Sequence, residues 1–506
     1  MSVRITALLA SLVAALTLAG SSGAGAASQP PKIDLSSPAA IDTYLQSIGV
    51  APSSVVKQQG AQNYAGPSCP GAGWTCTTST QVVQVAPEGG QNLAECGTGP
   101  CVVVQVGPAS SGGSTTNNTF HCDRTDTTDT ATQDCKNAIQ AYARNHAIIH
   151  ESIASTEGST QDATQTAEVT QENSVYNQAE VYQEVRQSTS ATGNQKQDAH
   201  QTASIVQSTV PGGQNFSHVH QTQDQQESGS NVQQQNTTVV SADCGPEKPP
   251  NPNQCANVFQ DAGSVGSGGK NLSQLHQAIG ERQTTTATPG SQAQGALVAG
   301  VPVGGQEGDL DQFNPANAGQ NQVIAHQDLE QRQSAPIGTS QTQSTDPGCC
   351  GVGTQLGGEL NSSDINQATT QSATGGTAAI QSSTLFGEVH QHQVAPETLS
   401  LTTSQAGPPQ GTCRIDQHGR NNSGAGHFDA DGTGGQCASL TLTTVCTSGS
   451  VDSAAQTQTA CGPPVVVESP GLSIPLQSLE TSPTNGADIS MPDYTAEPSD
   501  YVPPAG

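Results

Sequence analysis

A seven-residue pattern of alternating side chains recurs through the middle of the chain. The copy at Gln165–Gln171 carries amide, small, branched apolar and amide residues at alternate positions, and it returns twelve residues later at Asn177–Gln183. Further copies, some of them degenerate, begin at Thr189, Gln201, Asn215 and Glu227. Because side chains alternate between the two faces of a β-strand, these four positions fall on one face. The pattern predicts one strand per copy, with a period near twelve.

The repeated face predicts a stacked structure. A single copy cannot bury its own apolar face, so its stability must come from neighbours placed above and below it. Stacking aligns Ala on Ala, branched residues on branched residues and amides on amides, and stacked amides form hydrogen-bonded ladders. The predicted inward ladder positions are Gln165, Ala167, Val169, Gln171, Asn177, Ala179, Val181, Gln183, Gln201, Ala203, Ile205, Gln207, Asn215, Val219 and Gln221.

The opposite face of each copy is more polar. It carries residues suited to contact with water, namely Glu168, Thr170, Glu180, Ser204 and His218. Two seven-residue strands joined by five-residue corners would make a flattened coil with a thin core. The predicted fold class is therefore all-β, a β-solenoid with Gln/Asn ladders.

The repeat unit resembles the curlin repeat of curli-type fibre subunits. Asn177, Ala179, Val181 and Gln183 match that family's N-x-A-x-V-x-Q half-repeat, and Asn215 to Gln221 matches it with one small substitution. The resemblance covers about 165–235 well and 271–405 loosely. It implies a secreted surface or matrix protein whose edge coils can add to another chain. The family's Gly-x-Gly before the Asn is mostly missing, and curlin subunits have no place for the cysteine-rich segments found here.

Cysteine-rich segments flank the repeats. The fourteen cysteines are even in number and locally grouped, which indicates disulfides between near neighbours in an oxidising compartment. The predicted organisation is a signal peptide at 1–26, a leader with a short helix at 27–66, a Cys-rich β module at 67–140, a curlin-like repeat block at 141–240, a looser repeat block with linkers at 241–412, a second Cys-rich β module at 413–467, and a disordered acidic, Pro-rich tail at 468–506.

Features of the N-terminus predict export. Arg4 precedes an apolar run from Ile5 to Leu18, and Ala24-Gly25-Ala26 offers a cleavage site of the A-x-A type. In the leader, Ser37 and Pro38 suit the first positions of a helix, which Gly49 would end. We therefore expect a secreted protein, located outside the cell or on its surface.

Composition narrows the function classes. Only 32% of residues are hydrophobic and 3% aromatic, and the net charge is −28. A polyanion repels nucleic acids and anionic membranes, so we expect neither as a partner. Low hydrophobicity with high net charge is also typical of disorder, which leaves a largely disordered secreted spacer as an alternative.

No motif in the sequence indicates catalysis, and we predict no enzyme, cofactor or metal site. His146 and His150 lie four residues apart beside Glu151, but Ala147 stands where a zinc protease motif needs Glu. The pairs His218/His220 and His390/His392 could chelate a metal only adventitiously. The predicted function is a structural or adhesive protein of a cell surface or extracellular matrix. Its expected partners are itself or other repeat proteins, through edge stacking, and surface or matrix components. A carbohydrate-binding or metal-binding module is a further alternative.

Overall fold

The computed structural model describes one structural unit, which begins at Ile33. It describes residues 33–476 apart from gaps at 98–100, 110–114, 231, 238–252, 263–267, 289, 299–300, 304, 315–318, 346–350, 358–359, 377, 392–396, 408–411, 424–438, 447–449, 461–464 and 470–471. The predicted signal peptide and most of the predicted tail lie outside the described residues.

Parallel strands stacked in register form a β-solenoid, which confirms the predicted fold class. The strand Thr160–Thr189 shows the plan of one coil: residues 160–171 pair with 196–207 of the next coil, and residues 176–189 pair with 214–227. Each coil thus contributes one strand to each of two facing sheets, which we name the front sheet and the back sheet. One continuous apolar cluster runs between the sheets from Ala65 to Leu401.

Twelve coils can be followed within the described residues. The front sheet consists of Val56–Gln59, Gln81–Val85, Val102–Val106, Thr130–Ala141, the first parts of Thr160–Thr189 and Asn194–Ser228, Val232–Gln235 with Gln254–Asp261, Ser291–Gln294 with Gln306–Asn314, Ser340–Thr345 with Gly351–Gly357, Ala378–Gln391, Thr412–Ser423 and Ser450–Ala460. The back sheet consists of Gln62–Ala65, Gln91–Cys96, Asn117–Asp126, Arg144–Ser155, the second parts of Thr160–Thr189 and Asn194–Ser228, Lys270–Thr284, Gln320–Ser334, Leu360–Thr374, Glu397–Ala406, Ser439–Cys446 and Val465–Ser469.

The coil is longer than the twelve-residue period predicts. Stacked Gln171 and Gln207 are 36 residues apart, and stacked Asn177 and Asn215 are 38 apart. Each coil of this block therefore holds three copies of the pattern, not two. The copies that begin at Thr189 and Glu227 are not separate strands of the core: they span the corner from the back sheet to the next front strand. There the chain turns at Gly193, whose φ of 119° favours glycine.

Later coils have longer connections without losing register. Gln233 and Gln292 are stacked although 59 residues separate them, and Gln292 and Gln341 are stacked at a separation of 49. One of the inserted segments contains a small antiparallel hairpin, Ala296–Val298 with Val301–Val303. Insertions between strands do not disturb the core, because the inserted residues lie at the corners of the stack.

The leader contains the predicted helix, Pro38–Ser47, followed by a short 3₁₀ turn at Pro52–Ser54. The Ser37 hydroxyl oxygen accepts a hydrogen bond from the Ala40 amide, and the helix buries Ile41 and Leu45. These side chains pack against the outward face of the front sheet in its early coils, on Val83, Val102, Val104, Val106 and Ile139. The helix therefore covers an apolar patch that would otherwise face water.

The two Cys-rich modules are the first and last coils of the same stack. Disulfides join Cys69 to Cys76, Cys96 to Cys101 and Cys122 to Cys135, so the pairing is local, as predicted. Cys122 lies in the third coil and Cys135 in the fourth, so this bond ties successive coils together. Cys349, Cys350, Cys413, Cys437, Cys446 and Cys461 lie among residues whose side chains the structure does not describe.

Extra strands lie on both ends of the back sheet. Thr75–Thr77 pairs with Gln62–Ala65 of the first coil. Leu472–Leu476 pairs antiparallel with Val465–Ser469 of the last coil. The predicted tail, which we expected to be disordered from residue 468, therefore begins with ordered strand.

Val181→Asp tests the predicted inward face. Val181 is fully buried and stacks between Ile149 and Val219. An unpaired carboxylate at this position should lower the free energy of unfolding by at least about 3 kcal/mol, measured by chemical denaturation. The control is Thr132→Asp on the exposed face of the front sheet, which should change stability little. Equal losses in the two variants would contradict the assigned register.

Candidate functional site

Amide ladders run through the solenoid between the two sheets. The longest glutamine ladder passes through eight successive coils, with Nε2 of each residue donating to Oε1 of the residue in the preceding coil at 2.7–2.9 Å. Its members are Gln58, Gln84, Gln105, Gln140, Gln171, Gln207, Gln260 and Gln312. The second proton of each of the last seven Nε2 groups goes to a backbone carbonyl of the back sheet at 2.7–3.0 Å.

An asparagine ladder lies at the start of the back strands. Nδ2 of each residue donates to Oδ1 of the residue in the following coil at 2.8–2.9 Å, so this ladder runs opposite to the glutamine ladder. Its members are Asn63, Asn92, Asn118, Asn145, Asn177, Asn215, Asn271 and Asn321. Apart from Asn63 Oδ1 at the first position of the ladder, these buried amides are satisfied by one another and by the backbone, so they can fill a core without water.

All fifteen predicted ladder positions are at most 1% exposed and point between the sheets. Gln165 and Gln201 belong to a second glutamine ladder, and Gln183 and Gln221 to a third. Ala167, Val169, Ala179, Val181, Ala203, Ile205 and Val219 lie in the continuous apolar cluster. The two sheets therefore meet through a core that is half amide and half aliphatic.

Three buried glutamates take the place of glutamines in ladders of this kind, a role that the repeat pattern in the sequence does not reveal. Glu151 accepts from Gln183, Glu227 from Gln283 and Glu281 from Gln331, at 2.7–2.8 Å. Burial raises the pKa of Glu151 and Glu227 to about 8 and that of Glu281 to about 7. Each carboxyl group is therefore held closer to its neutral form than a glutamate in water.

Glu281 lies in the middle of another glutamine ladder, between Gln225 and Gln331, and interrupts it. It is the register partner of Gln225, whose Oε1 is buried and has no hydrogen-bond partner. The Glu281 oxygens accept from Asn236 Nδ2 at 2.7 Å and from Gln331 Nε2 at 2.8 Å, and Asp198 adds negative charge nearby. In the other glutamine ladders the residue of the later coil donates at this point, which an ionised carboxylate cannot do.

Histidines cluster on the outward face of the back sheet. Seven lie there over coils three to eight, in or beside one column: His121, His146, His150, His218, His220, His276 and His326. The rings of His220 and His276 are stacked with their centroids 4.7 Å apart. Tyr182 occupies the same column and meets the His150 ring edge-on at 4.8 Å.

Packing keeps five of these imidazoles uncharged to lower pH than histidines in water. Burial lowers the pKa of His121, His150, His218 and His276. Burial and the adjacent His276 and His218 lower the pKa of His220 to about 4. Neutral imidazole is the form that can accept a hydrogen bond or bind a metal ion.

Glu180 is at the centre of this surface. The prediction that it faces water is wrong: it is 3% exposed, because neighbouring side chains cover it. Its carboxylate accepts from Gln178 Nε2 at 2.6 Å and from the Tyr182 hydroxyl at 3.0 Å, and Oε1 lies 3.6 Å from His146 Nε2. Burial opposes its ionisation, but the hydrogen bonds and the His146 charge outweigh burial, so its pKa lies below the usual value.

The pair His146 and His150 lies on the strand Arg144–Ser155, not on a helix. Both rings point outward, whereas Glu151 points into the core. Of the histidine pairs noted in the sequence, His218 and His220 belong to this surface, and the side chains of His390 and His392 are not described. Among the described residues, no three His, Cys, Asp or Glu side chains already converge on a point that could hold a metal ion.

Comparisons with known proteins add no relative. No protein-family model matches the chain, and searches of curated proteins and of solved structures found no match. The functional argument therefore depends on the residues and their geometry.

Glu281→Gln tests the acidic position in the ladder. The folded pKa of Glu281 is raised above 4.5, so its favourable contribution is present below about pH 4.5 and is lost as pH rises through about 7. The free energy of unfolding of the natural chain should therefore fall between pH 5 and pH 8. The free energy of unfolding of the variant should fall less over the same range, because the amide carries no charge and can donate to Gln225. The difference between the two falls should be up to about 3 kcal/mol.

The matched control is Glu157→Gln, since Glu157 is exposed at a corner. It should leave the pH dependence of stability unchanged. Denaturant titrations at pH 5 and pH 8 give the free energy of unfolding of each chain at both pH values. If the stability of the natural chain and of Glu281→Gln depended on pH in the same way, Glu281 would not be a buried carboxyl group with a raised pKa.

Proposed function

We propose that the protein is an exported structural protein of a cell surface or extracellular matrix, in which curlin-like repeats build a rigid two-sheet slab. The observation that carries the proposal is the continuity of the amide ladders through eight coils. Twelve coils about 4.8 Å apart make a stack roughly 55 Å high. Such a block offers two broad outer faces and supports a load-bearing or adhesive role.

The compartment is supported by the disulfides. Cys69, Cys96 and Cys122 are each paired with a near neighbour, which suits an oxidising environment outside the cytosol. No helix within the described residues has the length and apolar character needed to cross a membrane. The net charge of −28 disfavours nucleic acids and anionic lipids as partners and favours neutral or cationic surface and matrix components.

The ends of the stack favour a monomeric slab rather than a subunit of a growing fibre. A coil added to either end must pair with both sheets. The outer edges of the back sheet are already paired, with Thr75–Thr77 at one end and Leu472–Leu476 at the other. Edges that are occupied in this way limit strand addition by another chain.

Fibre formation remains the second candidate, since one observation favours it. In the described part of the chain, the last front strand, Ser450–Ala460, pairs on one side only, with Thr412–Ser423. An edge of this kind can accept a strand from another copy or from another repeat protein.

Cell fractionation of the natural host with an antibody to the chain tests the proposed location. The chain should be recovered from the medium or the cell surface, and recovery from the cytosol would contradict the proposal. A folded slab should also give a protease-resistant core that maps to 130–334.

Seeding experiments separate the slab from the fibre. The full, oxidised chain should sediment as one species over a range of concentrations and show no seeded growth of thioflavin T fluorescence. Removing the Cys69–Cys76 disulfide by Cys69→Ser with Cys76→Ser should loosen the strand at Thr75–Thr77 and increase association. The matched control removes Cys96–Cys101, which is away from the end strand. Seeded growth of the natural chain would instead identify a fibre subunit.

A further inference from the structure

Glu180 is an unusual group for a structural surface. It is a carboxylate that is almost fully buried on the outer side of a sheet, and its partners are the Gln178 amide, the Tyr182 hydroxyl and the nearby His146 imidazole. Lys and Arg side chains, which pair with Glu184, Asp198 and Glu330 elsewhere in the stack, make no ion pair with Glu180 among the described residues. A buried negative charge in this position favours a cation beside it.

The separation between His146 and Glu180 matches a pair of metal ligands. His146 Nε2 lies 3.6 Å from Glu180 Oε1, and this nitrogen is buried without a hydrogen-bond partner. Zinc binds imidazole nitrogen at about 2.0–2.1 Å and carboxylate oxygen at about 2.0–2.2 Å, so two ligands of one tetrahedral ion lie roughly 3.3–3.5 Å apart, close to the observed separation. The distance is longer than a hydrogen bond and suited to an ion between the two atoms.

A second imidazole lies on the other side of Glu180. His218 is the register partner of Glu180 in the next coil, and its Nδ1 is 3.3 Å from the Tyr182 hydroxyl, which itself donates to Glu180. His218 would have to change its side-chain torsions, and so leave Tyr182, to bring a ring nitrogen to the carboxylate. The solenoid therefore places three ligand-bearing residues on three successive coils, with backbones fixed by the ladders beneath them.

We propose that His146, Glu180 and His218 bind one divalent transition-metal ion of the zinc class on the outer face of the back sheet. Two imidazoles and one carboxylate form the ligand set of an open zinc site, in which water fills the fourth position. The ion would tie the fourth, fifth and sixth coils together across the sheet. This inference does not depend on the proposed structural role.

Calorimetric titration of the full, oxidised chain with Zn²⁺ tests the proposal. The natural chain should bind one equivalent more tightly than any further ions. His146→Gln, Glu180→Gln and His218→Gln should each weaken that step by at least about tenfold, since even outer-shell changes cost 10–100-fold at metal sites. Co²⁺ should give the visible absorption of a tetrahedral site in the natural chain and lose it in the three variants.

The matched control is His326→Gln, a histidine of the same outward face in the eighth coil, which should leave the tight step unchanged. Circular dichroism establishes that each variant keeps its strands, so a loss of binding is not a loss of fold. Absence of a tight step in the natural chain would overturn the proposal. Equal affinity in all variants, or weakening by His326→Gln alone, would also overturn it.

Discussion

The double hydrogen bond made by each buried glutamine is the interaction on which this fold depends. Nε2 of Gln171 donates one proton along the stack to Gln140 and the other across the core to the Gln178 carbonyl. The same group therefore joins successive coils and joins the two sheets. Leaving such an amide unpaired in an apolar interior costs several kcal/mol, so the arrangement works only when it is repeated. It explains how a chain with 32% hydrophobic residues builds a continuous core.

The repeated ladders fix the register of the strands but not the length of the segments between them. Ladder atoms must stay within hydrogen-bond distance, whereas the segments between strands have no such requirement, and stacked glutamines are separated by 36 residues in one place and 59 in another. A ladder also tolerates a glutamate at its first member, as at Glu151 and Glu227, because the first position needs only to accept. Glu281 lies within a ladder, where an acceptor alone leaves Gln225 without its donor.

Much of this core could be predicted from the sequence, because the chemistry of the inward face is periodic. Asn177, Val181 and Gln183 alternate with period two, and that alternation is a property of a strand alone. The coil length could not be derived in the same way. The copy at Thr189, which lies at a corner, has the same sequence pattern as a copy that forms a core strand. Only the pairing of residues distant in sequence distinguishes the two kinds of copy. Glu180 was assigned to water because burial on an outer face depends on neighbours from other coils.

Those neighbours follow from the ladders. Once the inward residues are stacked, every outward residue is held in a column with its equivalents about 4.8 Å above and below. A histidine in one coil is then placed beside the residue one coil length away, and His150, Tyr182, His220 and His276 share a column for this reason. Aligning the sequence on its stacked Asn and Gln residues brings this group together although its members are 32, 38 and 56 residues apart, whereas the twelve-residue period scatters it. The polar core therefore determines which side chains meet on the surface.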